Sequence, residues 1–218
     1  MADRPANADA AQPLAADSLA YSLHAAAQAV AAVIGGRNLD AALAALKLPA
    51  AARPAAMDLA FGALRRYGRG DFFLAKLIER PLADPAARGL LLAALYRLEA
   101  RPQDAHTTVD QAVAVAALLA RGKYKALVNG VLRNFLRRRD ELVAAAEDDA
   151  LARWQHPRWW LEKLRTTYPD RWQEIATIGN EHPPMTLRVN TRRTTMTDFQ
   201  GLRPRGGVAR RQRPSTLK

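Results

Sequence analysis

The residue types that most often carry out chemistry are few and scattered in this chain of 218 residues. There is no cysteine, which excludes disulfides, thiolate metal sites and a cysteine nucleophile. The histidines stand apart from one another, without a partner at metal-ligand spacing: His24, His106, His156 and His182. No glycine-rich phosphate loop follows a strand pattern, and no serine stands in a nucleophile elbow. The residues by themselves therefore predict neither a catalytic centre nor a metal site.

Positive charge is the feature that indicates a ligand. The 33 lysines and arginines outnumber the 21 acidic residues, and the net charge is +12. Residues 1–150 hold 19 basic and 16 acidic residues, whereas residues 151–218 hold 14 and 5. Such an excess is typical of proteins that bind a polyanion, most often a nucleic acid. Charge alone leaves open the alternative of a solvated basic surface or tail.

Residues 124–141 combine an apolar stripe with a run of cations. Apolar residues recur there at the spacing of one helix face: Val128, Val131, Leu132, Phe135 and Leu136. Arginines fall on the other side and in the last turn, where cations also suit the helix dipole: Arg133, Arg137, Arg138 and Arg139. The pattern predicts a seventh helix with one buried and one basic face. The basic face is either a solvated surface or a contact for nucleic acid.

Helical periodicity dominates the chain up to about residue 140 and predicts an all-α bundle of about seven helices joined by short loops. The first helix is expected to be capped by Asp17 or Ser18 and to stop at Gly35 and Gly36. A short second helix is expected over residues 40–46.

The third helix is expected to begin near Pro54 and to end at Gly68 and Gly70. Its predicted apolar stripe consists of Met57, Phe61, Leu64 and Tyr67. Caps or first-turn residues are expected to open the next three helices: Asp71 for the fourth, Pro85 for the fifth, and Thr107 or Thr108 for the sixth.

The composition changes near residue 150, so we expect a helical domain over residues 17–145 and a separate region over residues 150–200. All four tryptophans lie in the second region and are expected to pack between helices: Trp154, Trp159, Trp160 and Trp172. After Pro183 and Pro184, the alternation of Met185, Leu187 and Val189 predicts a strand. We therefore expect a short helical linker followed by the truncated start of an α/β unit.

Both ends of the chain are expected to be disordered. Residues 1–16 lack the apolar centre of a secretory signal, and no apolar run reaches the ~20 residues that cross a bilayer; we expect a cytoplasmic protein. Residues 201–218 hold five arginines, one lysine and no acid, with too few aliphatic residues to pack. This basic tail is either a nucleic-acid-binding arm or the product of a shifted reading frame in a GC-rich gene.

Six segments, in the order they occur, resemble the Sun/Fmu family of bacterial ribosomal RNA small-subunit methyltransferases. They are GGRNLDAAL, FGALRRYG, LLLAALYRLE, KALVNGVLRNFLRR, HPRWWLEKLRTTYP and NEHPPMTLRVN. The resemblance covers roughly residues 17–199. The first four segments are shared with NusB, an all-α RNA-binding bundle, and the last two are specific to the methyltransferases.

The resemblance implies an enzyme that makes 5-methylcytosine in ribosomal RNA with S-adenosylmethionine as the cofactor. That chemistry uses a cysteine thiolate that adds to the base, and a second cysteine that helps to release the product. This chain has no cysteine, and its match ceases near Gln200, before the cofactor domain of the family. We therefore expect no methyl transfer and no cofactor site in this chain.

For the helical domain, the resemblance implies binding of ribosomal RNA through cations on exposed helix faces. The expected contacts to phosphate are Arg65, Arg66, Arg69, Lys123, Lys125, Arg133, Arg137 and Arg138. The alternative is a stand-alone NusB-type antitermination protein, with a ribosomal or transcription protein as its partner. Neither interpretation involves a membrane.

Overall fold

The structure, a computed structural model, describes residues 14–181 together with residues 190, 192, 193 and 195. The described residues form 11 α-helices and no strand, which confirms the all-α prediction. None of these helices is long and apolar enough to cross a membrane. The predicted strand over residues 185–189, most of the predicted leader and the predicted basic tail lie outside the described residues.

Eight α-helices precede residue 149: α1 Leu19–Ile34, α2 Leu39–Ala45, α3 Arg53–Arg65, α4 Tyr67–Leu77, α5 Pro85–Ala100, α6 Ala105–Leu118, α7 Lys125–Arg137 and α8 Arg139–Asp148. Three more follow: α9 Ala150–Trp154, α10 Arg158–Thr167 and α11 Trp172–Asn180. The chain divides after Ala176 into two compact units, so α1 to α10 all belong to the first unit.

Local capping explains where several helices begin and end. The Ser18 hydroxyl accepts a hydrogen bond from the Tyr21 amide at 3.1 Å and caps α1, which stops at Gly35 as predicted. The Asp84 carboxylate accepts bonds from the first amides of α5, and Pro85 occupies the first helical position. These ends follow from short-range sequence signals alone.

Helix α5 is the centre of the core. Every residue from Gly89 to Leu95 is buried, so this helix is apolar around its whole circumference. A helix of this kind needs neighbours on all sides, and α1, α3, α4, α6 and α7 all pack against it. The bundle is therefore assembled around one central helix.

Helices α1 and α5 approach each other closely because their contact consists of small residues. A Cβ atom added at Gly89 would lie 2.3 Å from the carbonyl oxygen of Ala27, a distance that no side chain tolerates. Ala26 and Ala27 on α1, and Ala93 and Ala94 on α5, are fully buried. The alanine-rich composition is thus used for close helix packing as well as for helix propensity.

The predicted stripe on α3 was partly wrong. Met57 and Phe61 are exposed, and the buried face is formed by Ala56, Leu59, Ala60 and Ala63. The reason is again close approach: a Cβ at Gly62 would lie 2.1 Å from Cζ of Tyr96 on α5. Apart from Leu59, the side chains of the buried face are small, and Met57 and Phe61 are turned outwards.

The glycines after α3 do not end it. Helix α3 stops at Arg65, and Gly68 and Gly70 lie inside α4. A Cβ at Gly68 would lie 2.5 Å from the carbonyl oxygen of Leu151 in α9, so this glycine lets α9 pack on α4. The predicted Asp71 cap was also wrong, because Asp71 forms an ion pair with Arg88 instead.

Two more predicted helix ends differ from the structure. Helix α6 begins at Ala105, one turn earlier than a threonine cap would place it, and Thr108 is buried inside it. The Thr108 hydroxyl donates to the carbonyl of Asp104 at 2.9 Å and accepts from Nε of Arg97 at 3.2 Å. The predicted single helix over residues 124–141 is broken at Arg138, where α7 gives way to α8.

We expect Gly89→Ala to lower the free energy of unfolding by about 2 kcal/mol or more, because the added methyl group forces α1 away from α5. The matched control is Gly130→Ala on α7, where an added Cβ meets nothing within 4 Å. This second substitution should raise the free energy of unfolding by about 0.5–1 kcal/mol through helix propensity. Urea unfolding followed by circular dichroism measures both. Equal effects of the two substitutions would contradict the close α1–α5 contact.

Candidate nucleic-acid interface

Helix α7 has one buried face and one cationic face. Val128, Val131, Leu132 and Phe135 are buried, as the spacing predicted, and α7 packs on α4, α5 and α6. The cations of the segment fall on the opposite side. Burial of the apolar stripe therefore fixes which way the cations point.

The outer face of α7 carries a continuous polar row with i,i+4 spacing: Lys125, Asn129, Arg133 and Arg137. Successive members rise by about 6 Å along the axis. Nε of Arg133 donates to Oδ1 of Asn129 at 2.9 Å, and Nη2 of Arg137 donates to Oδ1 of Asn134 at 2.9 Å. Because these partners are neutral amides, they order the guanidinium groups without cancelling their charge.

The turn before α7 is strained and also cationic. Ala120, Arg121 and Gly122 are consecutive left-handed residues, with φ of 45°, 55° and 80°. This conformation costs about 1–2 kcal/mol for each residue other than glycine. Lys123 follows, with its ammonium group 5.7 Å from the ring centroid of Tyr124. Strained backbone often accompanies functional sites, and here it presents Arg121 and Lys123 at the start of α7.

An open groove of about 620 Å³ lies beside this turn. It is bounded by α1, the start of α5 and the start of α7, with these lining residues: Gln28, Ala31, Ala83, Asp84, Pro85, Ala86 and Tyr124. The lining residue Gln28 places its Nε2 2.7 Å from Nε2 of His24, and burial lowers the pKa of His24. The groove therefore offers one aromatic ring and one side-chain amide next to a cationic turn.

The electrostatics of the segment are one-sided. Seven cations and no acid occur over residues 121–139. One of these cations is neutralised: Arg138 forms two hydrogen bonds to Glu141, at 2.7 and 3.0 Å. The hydrogen bond and the charge of Arg138 lower the pKa of Glu141, which stays ionised beside it. Arg138 is thus a paired residue at the α7–α8 junction. The other cations of the segment are Arg139 at the start of α8 and those of the row along α7 and of the turn before it.

Arg69 lies in the core and not at the surface. Its guanidinium group contacts Glu99 and Glu147, each at 2.8 Å, and its side chain is only 10% exposed. Burial by itself would lower the pKa of Arg69, but the hydrogen bonds and charges of the two glutamates outweigh it, and the pKa is raised. This arginine ties α4 to α5 and α8, and its buried, paired guanidinium group is not positioned to contact a nucleic acid, contrary to the expectation from the sequence.

Arg65 and Arg66 are exposed at the end of α3, apart from the row on α7. Burial and the nearby carboxylate of Asp58 raise the pKa of Tyr96, and the charges of Arg65 and Arg66 reduce this rise without reversing it. The Tyr96 hydroxyl donates a hydrogen bond to Oδ1 of Asp58 at 3.5 Å. The two arginines are therefore a separate cationic patch at the end of α3.

Sequence reasoning missed Arg121, Asn129, Asn134 and the groove. Two of these residues could have been found from the sequence. Arg121 lies in a segment, residues 121–139, that contains no acid, and Asn129 falls four residues after Lys125 on the same helix face. The groove could not have been found, since its lining residues come from three helices distant in the sequence. No group of three metal-ligating side chains occurs among the described residues.

The fold and this surface define a class of protein: an all-helical bundle with one cationic helix face suited to a polyanion. Comparison with known families agrees. The model of the NusB family matches residues 15–137, more than half of the chain, and the chain belongs to that family. A second family model, the ferredoxin-like domain of RsmF/B-like methyltransferases, matches residues 156–213.

Individual relatives point the same way. The chain is similar to the ribosomal RNA small subunit methyltransferase B of Pseudomonas putida, with 37% identity over 84% of this chain and 43% of the relative. The enzymes of that name from Pseudomonas syringae pv. tomato and Escherichia coli O6:H1 are 38% and 37% identical over 77% and 76% of this chain, respectively. The chain spans 39% of each of those two relatives. These matches confirm the resemblance seen in the sequence.

Measurements of the free energy of unfolding can distinguish the structural role of Arg69 from the surface position of Arg133. Arg69→Ala leaves Glu99, which is 9% exposed, without its partner, so we expect the free energy of unfolding to fall by about 3 kcal/mol. Arg133→Ala removes an exposed side chain and should change it by less than about 0.5 kcal/mol. Urea unfolding measures both values. A similar, small effect of the two substitutions would show that Arg69 is not a structural ion pair.

Proposed function

We propose that this chain binds ribosomal RNA through the outer face of α7 and the turn before it, as the RNA-holding part of a ribosomal RNA methyltransferase. The observation that carries the proposal is the row of cations on α7, which burial of the opposite apolar stripe turns towards solvent. Two members of the row, Arg133 and Arg137, are hydrogen-bonded to neutral amides. The names of the relatives supply the class of RNA. Such a protein would act in the cytoplasm, where ribosomes are assembled.

The chemistry of the row suits phosphate. Lys125, Arg133 and Arg137 offer charged donors along about three turns of helix, and guanidinium groups bind phosphate oxygens with two parallel hydrogen bonds. Contacts of this kind hold and orient an RNA strand but do not read its sequence. Selectivity would come from the groove, where Tyr124 can stack on an unpaired base and the Gln28 amide can bond to its edge.

Methyl transfer is not a role that we propose for residues of this chain. The family chemistry uses a cysteine thiolate, and the chain has no cysteine. The groove between α1, α5 and α7 also does not fit S-adenosylmethionine, because it holds one carboxylate, that of Asp84, which already caps α5. We therefore assign the chain the binding and orientation of RNA.

A NusB-type antitermination protein is the alternative function, with a ribosomal or transcription protein as its partner. The match over residues 15–137 supports both interpretations, because the bundle is common to them. The match over residues 156–213 favours the methyltransferase interpretation. A preference for ribosomal RNA over an antitermination RNA signal would distinguish the two.

We expect the double substitution Arg133→Glu and Arg137→Glu to weaken binding to a ribosomal RNA fragment by about 10- to 100-fold at low salt, because two phosphate contacts become repulsive. The slope of log affinity against log salt concentration should fall by about 1 to 2. Fluorescence anisotropy over a salt titration measures both quantities. The circular dichroism spectrum should be unchanged, since both side chains are exposed.

The matched control is Lys47→Glu with Arg53→Glu, which makes the same change in net charge. Lys47 lies on the connection between α2 and α3, and Arg53 is the first residue of α3. Both are exposed, and neither α2 nor α3 is among the helices that pack on α7. If affinity fell equally in both double variants, binding would depend on net charge alone. The α7 surface would then be the wrong assignment.

A further inference from the structure

Trp159 is the one tryptophan that the packing of the described residues does not explain. Trp154, Trp160 and Trp172 pack on the small apolar cluster of Leu161, Leu164 and Ala176. Trp159 is 65% exposed, more than any other large hydrophobic residue that the structure describes. The prediction that all four tryptophans pack between helices therefore holds for three of them and fails for Trp159.

The three packed tryptophans have specific partners. The rings of Trp154 and Trp172 meet edge to face with centroids 5.0 Å apart, and the ring of Trp160 lies 4.2 Å from that of His156. Arginines cover two of these rings: Arg153 lies 4.7 Å from the centroid of Trp154, and Arg165 lies 4.3 Å from that of Trp172. Trp159 lies on the side of α10 opposite this cluster.

The exposed side of α10 is cationic around the Trp159 ring. Arg158 precedes it, and Lys163 follows one turn later on the same side. Both are exposed, and neither forms an ion pair within the described part of the chain. Glu162, the one acid of α10, is also exposed and lies three residues after Trp159 on the same side, so Arg158 and Lys163 leave a net charge of +1 near the ring.

The isolation of the ring indicates what kind of partner it fits. Trp159 is the only large apolar side chain on the exposed side of α10, because Leu161 and Leu164 are buried. A stable protein interface needs roughly 800 Å² on each partner with an apolar centre, and one ring among polar residues does not provide it. A single nucleobase needs only one flat aromatic face, with cations beside it for the neighbouring phosphates.

We propose that Trp159 is a stacking platform for an unpaired base of single-stranded RNA, with Arg158 and Lys163 binding the flanking phosphates. This contact lies outside the part of the chain that the NusB family model matches. It rests on the proposed RNA binding and adds a contact that depends on single-strandedness, whereas the row on α7 recognises phosphate in any RNA.

The test uses the 218-residue chain, a labelled oligouridylate of about ten nucleotides, and an RNA duplex of similar length. We expect Trp159→Ala to weaken binding of the single strand about 10-fold and to leave binding of the duplex unchanged, because paired bases are not free to stack. Trp159→Phe keeps an aromatic face and should retain most of the affinity. Tyr168→Ala removes another exposed aromatic side chain, at the end of the same helix, and should have no effect.

A second readout follows the ring directly. Stacking quenches indole fluorescence, so the single strand should quench part of the emission of the unsubstituted chain, and Trp159→Phe should abolish that part. Unchanged affinity of Trp159→Ala together with unchanged quenching in Trp159→Phe would overturn the platform. So would emission from Trp159 that depends on protein concentration without RNA, because the ring would then be a site of self-association.

The two proposals can fail separately. If reversal of Arg133 and Arg137 weakens binding and Trp159→Ala does not, the α7 surface stands and the platform is wrong. If Trp159→Ala weakens single-strand binding and the α7 reversal does not, the platform stands and the α7 surface is wrong.

Discussion

The burial of α5 is the constraint on which the rest of this structure depends. A helix with no polar side chain from Gly89 to Leu95 cannot present any side to water. Five other helices must therefore surround it. The close contact of Gly89 with the backbone of Ala27 sets the distance of α1, and Gly62 on α3 leaves room for the ring of Tyr96 on α5. Once these helices are in place, little choice remains for the others.

The orientation of α7 is one consequence of that constraint. Phe135 packs against Phe73 of α4 with ring centroids 5.1 Å apart, and Val128 and Leu132 are fully buried. With this stripe held, the row from Lys125 to Arg137 has to face solvent. Packing therefore determines where the cationic surface lies. Its suitability for phosphate depends instead on its composition, that is, on the amide partners of the arginines and on the absence of acids.

How far the sequence predicts this molecule varies from residue to residue. The stripe on α7 and the caps of α1 and α5 were predictable, because they rest on side chains within a few turns of one another. The burial of Arg69 was not predictable, because its partners Glu99 and Glu147 lie 30 and 78 residues further along the chain. The predicted burial of Met57 and Phe61 was wrong for a related reason. Close contacts between helices favour alanine over larger apolar residues, and the sequence does not show which helices come close.

By itself, the sequence determined the all-α class, most of the helices, the run of cations before and along α7, and the family. These properties depend on local periodicity, on capping and on composition. Only the tertiary structure decided that Arg69 faces inwards, that Arg138 is paired, that Trp159 faces outwards, and that Gln28 and Tyr124 share a groove. The physical reason is that burial and charge pairing depend on which distant segments meet. Helix periodicity places a residue on a face, but only the neighbouring helices determine whether that face is covered.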